Sequence, residues 1–270
     1  MGISKRLEDA RAGYRKKDRI LSASAHDIER IAEAHAEPDE GKGKEYLGSM
    51  VYGGLDGIIT TFAIVSGVAG AELGSGVILI LGLANILADG FSMGVGAYLS
   101  TKSDNEVYQR EYKRETWEIE EFPEGEKAEL YVIYKNQGYP DEDARKMVEI
   151  KTRDKMRWAD AMMVEELNML KTNKGTILDG LATFGAFIVA GFVPMLVYVA
   201  SFLFNLDIPA QTAFYITLGL SGLALFLLGT AKVTMTGLNP IKSGLEMLIV
   251  GGIAAGVAYY VGALLKGIGG

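Results

Sequence analysis

Long apolar segments alternate with strongly charged ones along the chain. A transmembrane helix needs roughly 20 mainly apolar residues to cross the ~30 Å hydrocarbon core of a bilayer. Five segments meet this requirement: 46–71, 73–101, 180–206, 208–231 and 247–265. The pattern therefore predicts an all-α integral membrane protein with five transmembrane helices.

Charged residues are concentrated in the two parts of the chain outside these segments, 1–45 and 102–174. The first part precedes all predicted spans, and the second separates the second span from the third. The sequence therefore divides into four parts: a helical N-terminal segment (1–45), spans one and two (46–101), a charged helical insert (102–174) and spans three to five (175–270).

The distribution of Lys and Arg predicts the orientation of the spans, because cytoplasmic loops carry an excess of these residues. The N-terminal segment and the insert are rich in both, whereas the links around Glu72 and at 204–209 contain neither. We therefore expect the N-terminus and the insert in the cytosol and the C-terminus on the opposite side. Only Lys266, near the C-terminus, opposes this arrangement.

Residues 1–37 have a helical pattern, with apolar residues roughly along one stripe. Two interpretations are open: a cytosolic helix that packs on its neighbours, or a helix that lies on the anionic membrane surface. Both histidines of the chain, His26 and His35, lie here. Their spacing does not place them on one helix face, so a histidine metal site is not expected.

The insert has a helical pattern that is broken at Pro123 and at the sequence GYPDED, residues 138–143. Three helices are therefore predicted, at about 103–121, 124–136 and 141–171. Nothing between Tyr98 and Tyr108 breaks a helix, so the first of them should continue directly from the second span. The expected domain is a cytosolic three-helix insert.

Composition excludes several kinds of function. The net charge of −7 does not favour binding to nucleic acid, and the absence of cysteine excludes disulfides and thiolate metal sites. No GxxxxGK[ST] phosphate loop is present, so ATP is not expected to drive this chain. No nucleophile with a base and an orienting group stands out, and the chain is not expected to be an enzyme.

Two acids lie inside predicted spans, Asp56 in the first and Asp89 in the second. At ~1.5 Å per residue both are roughly 15–18 Å from the inner ends of their spans. Asn85, Asp89 and Met93 share one helix face. Ionisable residues within spans usually face a cavity or a pathway. The alternative is that the acids are hydrogen-bonded packing groups and that Met93 fills space between helices.

The insert is acidic, with 18 acids against 11 Lys and Arg between Asp104 and Glu166. Carboxylate pairs three residues apart on neighbouring helices can converge on one cation, as in helix-bundle metal sites. Oxygen ligands favour magnesium, calcium, manganese and ferrous iron, and a thioether favours a softer metal. The alternative is a solvated acidic face with the methionines in the core. The candidate ligands are Glu115, Glu118, Glu126, Glu129, Met162, Met163 and Glu166.

The ordered motifs MVYGGLDGIITTFAIVSGVAGA, ANILADGFSMGVGAYLSTKSDNEVY, RETWEIEEFPEGEKAEL and WADAMMVEEL resemble the vacuolar iron transporter family. The resemblance covers the chain from about residue 48 to the end, and residues 1–45 carry no part of it. It implies a homodimer with five spans per subunit and a pathway near the dimer interface. It also implies export of ferrous iron or manganese from the cytosol in exchange for protons.

Residue by residue, the resemblance places Asp56 and Met93 at the membrane site of the family and the seven insert residues at its cytosolic metal site. Where better-known members have a glutamate in the second span, this chain has Asn85, and Asp89 one turn later could supply the missing carboxylate. No cofactor is implied, since the metal is cargo. The membrane would be the plasma membrane of a prokaryote or the vacuolar membrane of a eukaryote.

The hypothesis is therefore secondary antiport, in which metal and protons compete for the same carboxylates. The alternative is a membrane-anchored metal buffer or sensor that binds metal without moving it. Two acids in the middle of the bilayer favour transport, because an anchor has little need of them.

Overall fold

We describe the chain from a computed structural model, which covers residues 5–36, 43–237 and 239–267. Every regular element in these ranges is helical, and none of the described residues lies in a strand. The all-α prediction is therefore confirmed.

The N-terminal segment contains three helices: α1 (Lys5–Lys16), α2 (Arg19–Ser24) and α3 (Ile28–Ala36). α1 is followed by Lys17, whose φ of 55° is left-handed. Asp18 then caps α2, because its side chain accepts hydrogen bonds from the backbone N–H groups of Ile20 and Leu21. The helical pattern over 1–37 thus corresponds, within the described residues, to short helices joined by turns.

Two long helices follow: α4 (Leu47–Gly70) and α5 (Ser75–Glu121). α5 has 47 residues, and at ~1.5 Å per residue its length of about 70 Å is more than twice the hydrocarbon thickness of a bilayer. Only its first part, up to about Thr101, is apolar. The remainder therefore lies beyond the membrane-spanning segment, and the predicted continuation of the second span into the insert is confirmed.

Residues Tyr98–Thr176 form a compact unit. It contains the end of α5 and three further helices: α6 (Pro123–Asn136), α7 (Asp141–Lys151) and α8 (Lys155–Glu165). These helices enclose an apolar core that includes Ile119, Leu130, Tyr134, Trp158 and Met162.

The prediction of one helix over 141–171 is wrong. α7 ends at Lys151 and α8 begins at Lys155. Between them Asp154 caps α8, because its side chain accepts a hydrogen bond from the backbone N–H of Arg157. A cap is a local hydrogen bond that the spacing of apolar residues does not record, so the pattern merged two helices into one.

The other unit, Met1–Ala97 with Ile177–Gly270, is completed by four helices: α9 (Thr176–Gly191), α10 (Leu196–Phe204), α11 (Ala210–Thr236) and α12 (Pro240–Leu264). α9 and α10 form one apolar segment, interrupted at Pro194, which has no backbone N–H for the helical ladder. The described residues contain five segments long and apolar enough to cross a membrane. The five-span prediction is confirmed, and the chain is a multi-pass membrane protein.

Glycines let the membrane helices approach one another closely. A Cβ atom at Gly53 of α4 would lie 2.5 Å from the carbonyl oxygen of Thr183 in α9. A Cβ at Gly70 of α4 would clash with the carbonyl oxygen of Tyr259 in α12. Backbone therefore packs directly on backbone along α4, the typical role of small residues in membranes. This packing fixes the helix that carries Asp56.

Candidate metal site

Three carboxylates of the insert lie together at the junction of α5 and α6. Glu115 and Glu118 are one turn apart near the end of α5, and Glu126 lies on α6, just after the bend at Phe122 and Pro123. One ligand oxygen from each lies within 4.8 Å of the other two. The spacing of acids along the sequence predicted such pairs, and the bend in the chain brings them together.

Burial makes this carboxylate triad unusual. Glu115 has 0% of its surface exposed and Glu126 has 5%. The Oε2 atoms of both lack a hydrogen-bond partner among the described residues. A buried carboxylate oxygen without a hydrogen-bond partner is costly unless the group takes up a proton or meets a cation. The triad is therefore built to bind one or the other.

The electrostatics of the triad lead to the same conclusion. Burial, followed by the charge of Glu166, raises the pKa of Glu115 to about 7. Burial, followed by the charge of Glu115, raises the pKa of Glu126 to about 7. Burial and the charge of Glu129 also raise the pKa of Glu166. The charges of Glu118 and Glu129 also act on the triad, and protonation of Glu115 and Glu126 near neutral pH competes with any bound cation.

One cation of the protein already contacts the triad. The guanidinium of Arg114 donates to the carboxylates of Glu115 and Glu118. Its Nε also donates to Glu111 Oε2 at 3.0 Å. Sequence reasoning missed Arg114, although its position directly before Glu115 and four residues before Glu118 was a usable signal.

The predicted sulfur ligands lie in the interior of the protein. Met162 and Met163 on α8 are both fully buried, and Met162 belongs to the apolar core of the insert beside Trp158. Glu166, which follows α8, has a buried Oε2 without a partner among the described residues.

The predicted membrane acids lie on adjacent helices, Asp56 on α4 and Asp89 on α5. Both are half-buried, and they are close enough for their charges to interact. Asn85 donates to Thr60 Oγ1 at 3.3 Å, and the Thr60 hydroxyl donates to the Asp56 carbonyl oxygen at 2.9 Å. Asn85 therefore links the two helices. Met93 is also half-buried.

Comparison with known proteins identifies the family. The model of the VIT family matches residues 47–263, which is most of the chain. The chain belongs to the VIT family. The match includes all the predicted metal-binding positions, from Asp56 to Glu166.

Relatives of this VIT chain are similar over most or nearly all of its length. It is 38% identical over 269 residues to a vacuolar iron transporter of Toxoplasma gondii, covering 96% of this chain and 88% of the relative. It is 37% identical over 268 residues to one of Plasmodium falciparum, covering 98% of both. Vacuolar iron transporter 1 of Arabidopsis thaliana is 32% identical over 224 residues, 82% of this chain and 87% of the relative.

Similarity to these relatives extends beyond the residues that the family model matches. Similarity that covers 96–98% of the chain leaves room for only a few unmatched residues. Most of the segment 1–45 must therefore be aligned as well, although it carries none of the motifs that resemble the family.

The VIT chain also contains a buried acid that sequence reasoning missed. Asp179 on α9 has only 3% of its surface exposed, and Ser49 Oγ at the start of α4 donates to its Oδ1 at 2.6 Å. Asp179 lies one residue before the predicted third span, which begins at Gly180. An acid at the edge of an apolar segment was the available signal.

Proposed function

We propose that this VIT-family chain is a secondary transporter that exports ferrous iron from the cytosol in exchange for protons. The observation that carries the proposal is the carboxylate triad, in which Glu115, Glu118 and Glu126 offer oxygens within 4.8 Å of one another. Oxygen-rich sites suit ferrous iron and manganese, so manganese is the expected second cargo.

In this proposal the insert gathers metal in the cytosol. The Lys and Arg distribution supports a cytosolic N-terminus and insert. Metal binds first to the triad with Glu129 and Glu166, and Met162 and Met163 are the buried sulfurs on α8. A thioether adds preference for a softer ion such as ferrous iron over magnesium or calcium.

The metal is then passed to a membrane site formed by Asp56, Asp89 and Met93. A carboxylate in a low-dielectric environment is stable when it is protonated or when it binds a cation. Metal and protons therefore exclude each other at the same oxygens, which is the minimum requirement for exchange. Release on the far side follows when protons replace the metal.

Several relatives are named vacuolar iron transporters, and their names support iron as the cargo. We place the chain in a vacuolar membrane if its host is a eukaryote and in the plasma membrane if it is a prokaryote. Two copies are proposed to assemble as a homodimer with the pathway near their interface.

Reconstitution into liposomes tests the proposal. Purified protein is placed in vesicles with an acidic lumen, and ferrous iron uptake is followed anaerobically with an entrapped chelating dye. We expect uptake that depends on the pH gradient and vesicle acidity that falls as iron enters. Asp56→Ala should abolish both signals, whereas Asp207→Ala, which removes an exposed acid outside the spans, should not.

The same assay separates transport from a buffer or sensor role. A buffer would bind iron on the vesicle surface without delivering it to the entrapped dye. Parental uptake by Asp56→Ala would contradict the proposed membrane site, and uptake that ignores the pH gradient would contradict proton exchange.

A further inference from the structure

A strongly basic turn lies near the N-terminus, between α1 and α2. Five basic residues and one acid lie between positions 11 and 20, in a chain whose net charge is −7. The acid, Asp18, is used to cap α2. All five basic residues are exposed, and none has an ion-pair partner among the described residues. We call them the basic tip: Arg11, Arg15, Lys16, Lys17 and Arg19.

Apolar side chains are exposed within the same tip. Tyr14 is 71% exposed and Ile20 is 84% exposed. The Nζ of Lys17 lies 4.2 Å from the centre of the Tyr14 ring. Neither of these two large side chains is buried, so neither contributes much to the packing of the helices.

Helix packing turns the tip outward. Gly13 is buried, and a Cβ at this position would lie 2.8 Å from the backbone nitrogen of Ser22 in α2. That face of α1 is therefore covered by α2. Viewed down the axis of α1, the directions of Arg11 and Arg15 differ from that of Gly13 by about 160°, in opposite senses, and the direction of Tyr14 differs by about 100°. The basic and aromatic side chains thus share the outer face of α1.

The position of the tip in the chain suggests its partner. The first membrane helix begins at Leu47, only ten residues after α3 ends at Ala36. Ten residues span at most about 35 Å, so the N-terminal helices are tethered to the membrane surface. Tethering raises the effective concentration of the tip at that surface.

We propose that the basic tip docks on the anionic lipid headgroups of the membrane that the chain itself spans. Basic residues supply attraction to the negative surface, and Tyr14 and Ile20 enter the boundary between headgroups and acyl chains. This combination is typical of helices that lie on membranes. Docking does not depend on transport. The docking test can therefore fail while the proposed transport function stands, and the transport test can fail while docking stands.

The absence of cysteine from the chain makes a direct test possible. Ala23→Cys places a single thiol at an exposed position of α2, where an environment-sensitive fluorophore is attached. The full-length protein is inserted into nanodiscs of phosphatidylcholine, with or without phosphatidylserine, together with a quencher lipid labelled at the headgroup level. Quenching reports contact between the tip and the bilayer.

We expect at least about threefold stronger quenching in discs that contain phosphatidylserine. The difference should vanish at about 1 M salt, where the Debye length falls to ~3 Å. Equal quenching in both lipids, or none in either, would overturn the proposal. An absence of quenching in both lipids is also expected if the basic tip instead binds the acidic insert.

Paired charge variants locate the effect. Replacing the five residues of the basic tip by Gln should remove the difference between the two lipids. The matched control replaces five exposed basic residues of α7, α8 and the turn between them by Gln, so that the net charge changes equally; they are Arg145, Lys146, Lys151, Arg153 and Lys155. Equal loss in the control would overturn the assignment to the tip. The lipid and salt comparisons on the parent protein decide the question even if the tip variant fails to fold.

Discussion

The guanidinium of Arg114 donates to the carboxylate of Glu115, a glutamate with no exposed surface. The same guanidinium binds Glu118, so one permanent cation of the protein contacts two of the three carboxylates in the triad. It lowers the pKa of Glu115, against the larger upward effect of burial. Arg114 therefore keeps part of the triad ionised, and it also opposes the entry of a second cation.

Arg114→Gln should raise the affinity of the full-length protein for Mn²⁺ by about tenfold at pH 8.5. This pH lies above the pKa of about 7 of Glu115 and Glu126 in the parent, and we expect removal of a positive charge beside the metal to outweigh the rise in the Glu115 pKa that follows the loss of Arg114. Titration calorimetry with Mn²⁺, which is stable in air, measures the change.

Arg110→Gln is the matched control. It removes the same charge from an exposed side chain that pairs with Glu111 but not with the triad. We expect less than about a twofold change, since exposed charges are strongly screened. Weaker Mn²⁺ binding by Arg114→Gln would mean that Arg114 holds the carboxylates in position rather than opposing the metal.

Metal binding to the triad should depend steeply on pH. The pKa values of Glu115 and Glu126 are both about 7, so below this pH a metal must displace protons. The affinity for Mn²⁺ should fall about tenfold per pH unit for each proton displaced and should level off above pH 8. Calorimetry in buffers of different ionisation enthalpy counts the protons. A flat affinity between about pH 6 and pH 8 would contradict the raised pKa values.

Glu126→Gln should stabilise the metal-free protein at pH 8. Between the ordinary carboxyl pKa of 4.5 and about 7, the folded state binds more protons than the unfolded state. Its stability therefore decreases as pH rises through that window. The variant lacks this penalty, so its unfolding free energy should exceed that of the parent by roughly 1–3 kcal/mol, seen as a higher thermal midpoint in detergent.

The advantage of Glu126→Gln should disappear at about pH 4.5, where the parent is protonated as well. The variant should also lose most of the thermal stabilisation that Mn²⁺ gives the parent. Glu124→Gln serves as the control, because this glutamate is exposed on the same helix and pairs with Lys127. If both variants change the thermal midpoint equally, burial of the triad is not the cause.

Gly53→Ala should destabilise the membrane unit. The added methyl group would lie 2.5 Å from the carbonyl oxygen of Thr183, so α4 and α9 must separate, at a cost of about 1–3 kcal/mol. Gly219→Ala makes the same chemical change in α11, where a Cβ meets nothing within 4 Å. A lower thermal midpoint for Gly53→Ala alone is expected, and equal midpoints would show that the helices can move apart freely.

Hydropathy predicted the five spans correctly because a bilayer imposes a length and an apolar character that a single sequence displays directly. Helix breaks were predicted less well. The turns at Lys17 and Asp154 depend on a left-handed residue and on side-chain caps, which are local hydrogen bonds. Neither feature changes the spacing of apolar residues, so the spacing did not predict either helix break.

The candidate site was also predictable only in part, because some of its features depend on contacts that the sequence does not display. Acid spacing and family resemblance indicated the carboxylates of Glu115 and Glu126, since both depend on residue type and position. The partners of these acids depend on three-dimensional packing. Arg114 is one of several basic residues on a helix whose charged sequence suggests exposure to solvent. Asp179 lies just outside the predicted third span. The sequence alone therefore does not single out either residue.

Asp89 and Asn85 can be tested together as alternative positions for one membrane carboxylate. Asn85 uses its amide to bind Thr60, whereas Asp89 lies close enough to Asp56 for their charges to interact. If Asp89 supplies the carboxylate that Asn85 lacks, Asp89→Asn should reduce iron flux into proteoliposomes at least tenfold. Adding Asn85→Glu to that variant should restore much of the flux, because a carboxylate returns one turn away on the same helix face.

Asn85→Glu alone is the informative control for this pair. It places a third acid beside Asp56 and Asp89, and it should shift the pH dependence of flux upward, because like charges at short range favour protonation. Parental flux by Asp89→Asn would show that Asp56 works without a second carboxylate. If the double variant has a parental thermal midpoint but does not recover iron flux, the position of the Asp89 carboxylate matters, and a carboxylate one turn away cannot replace it.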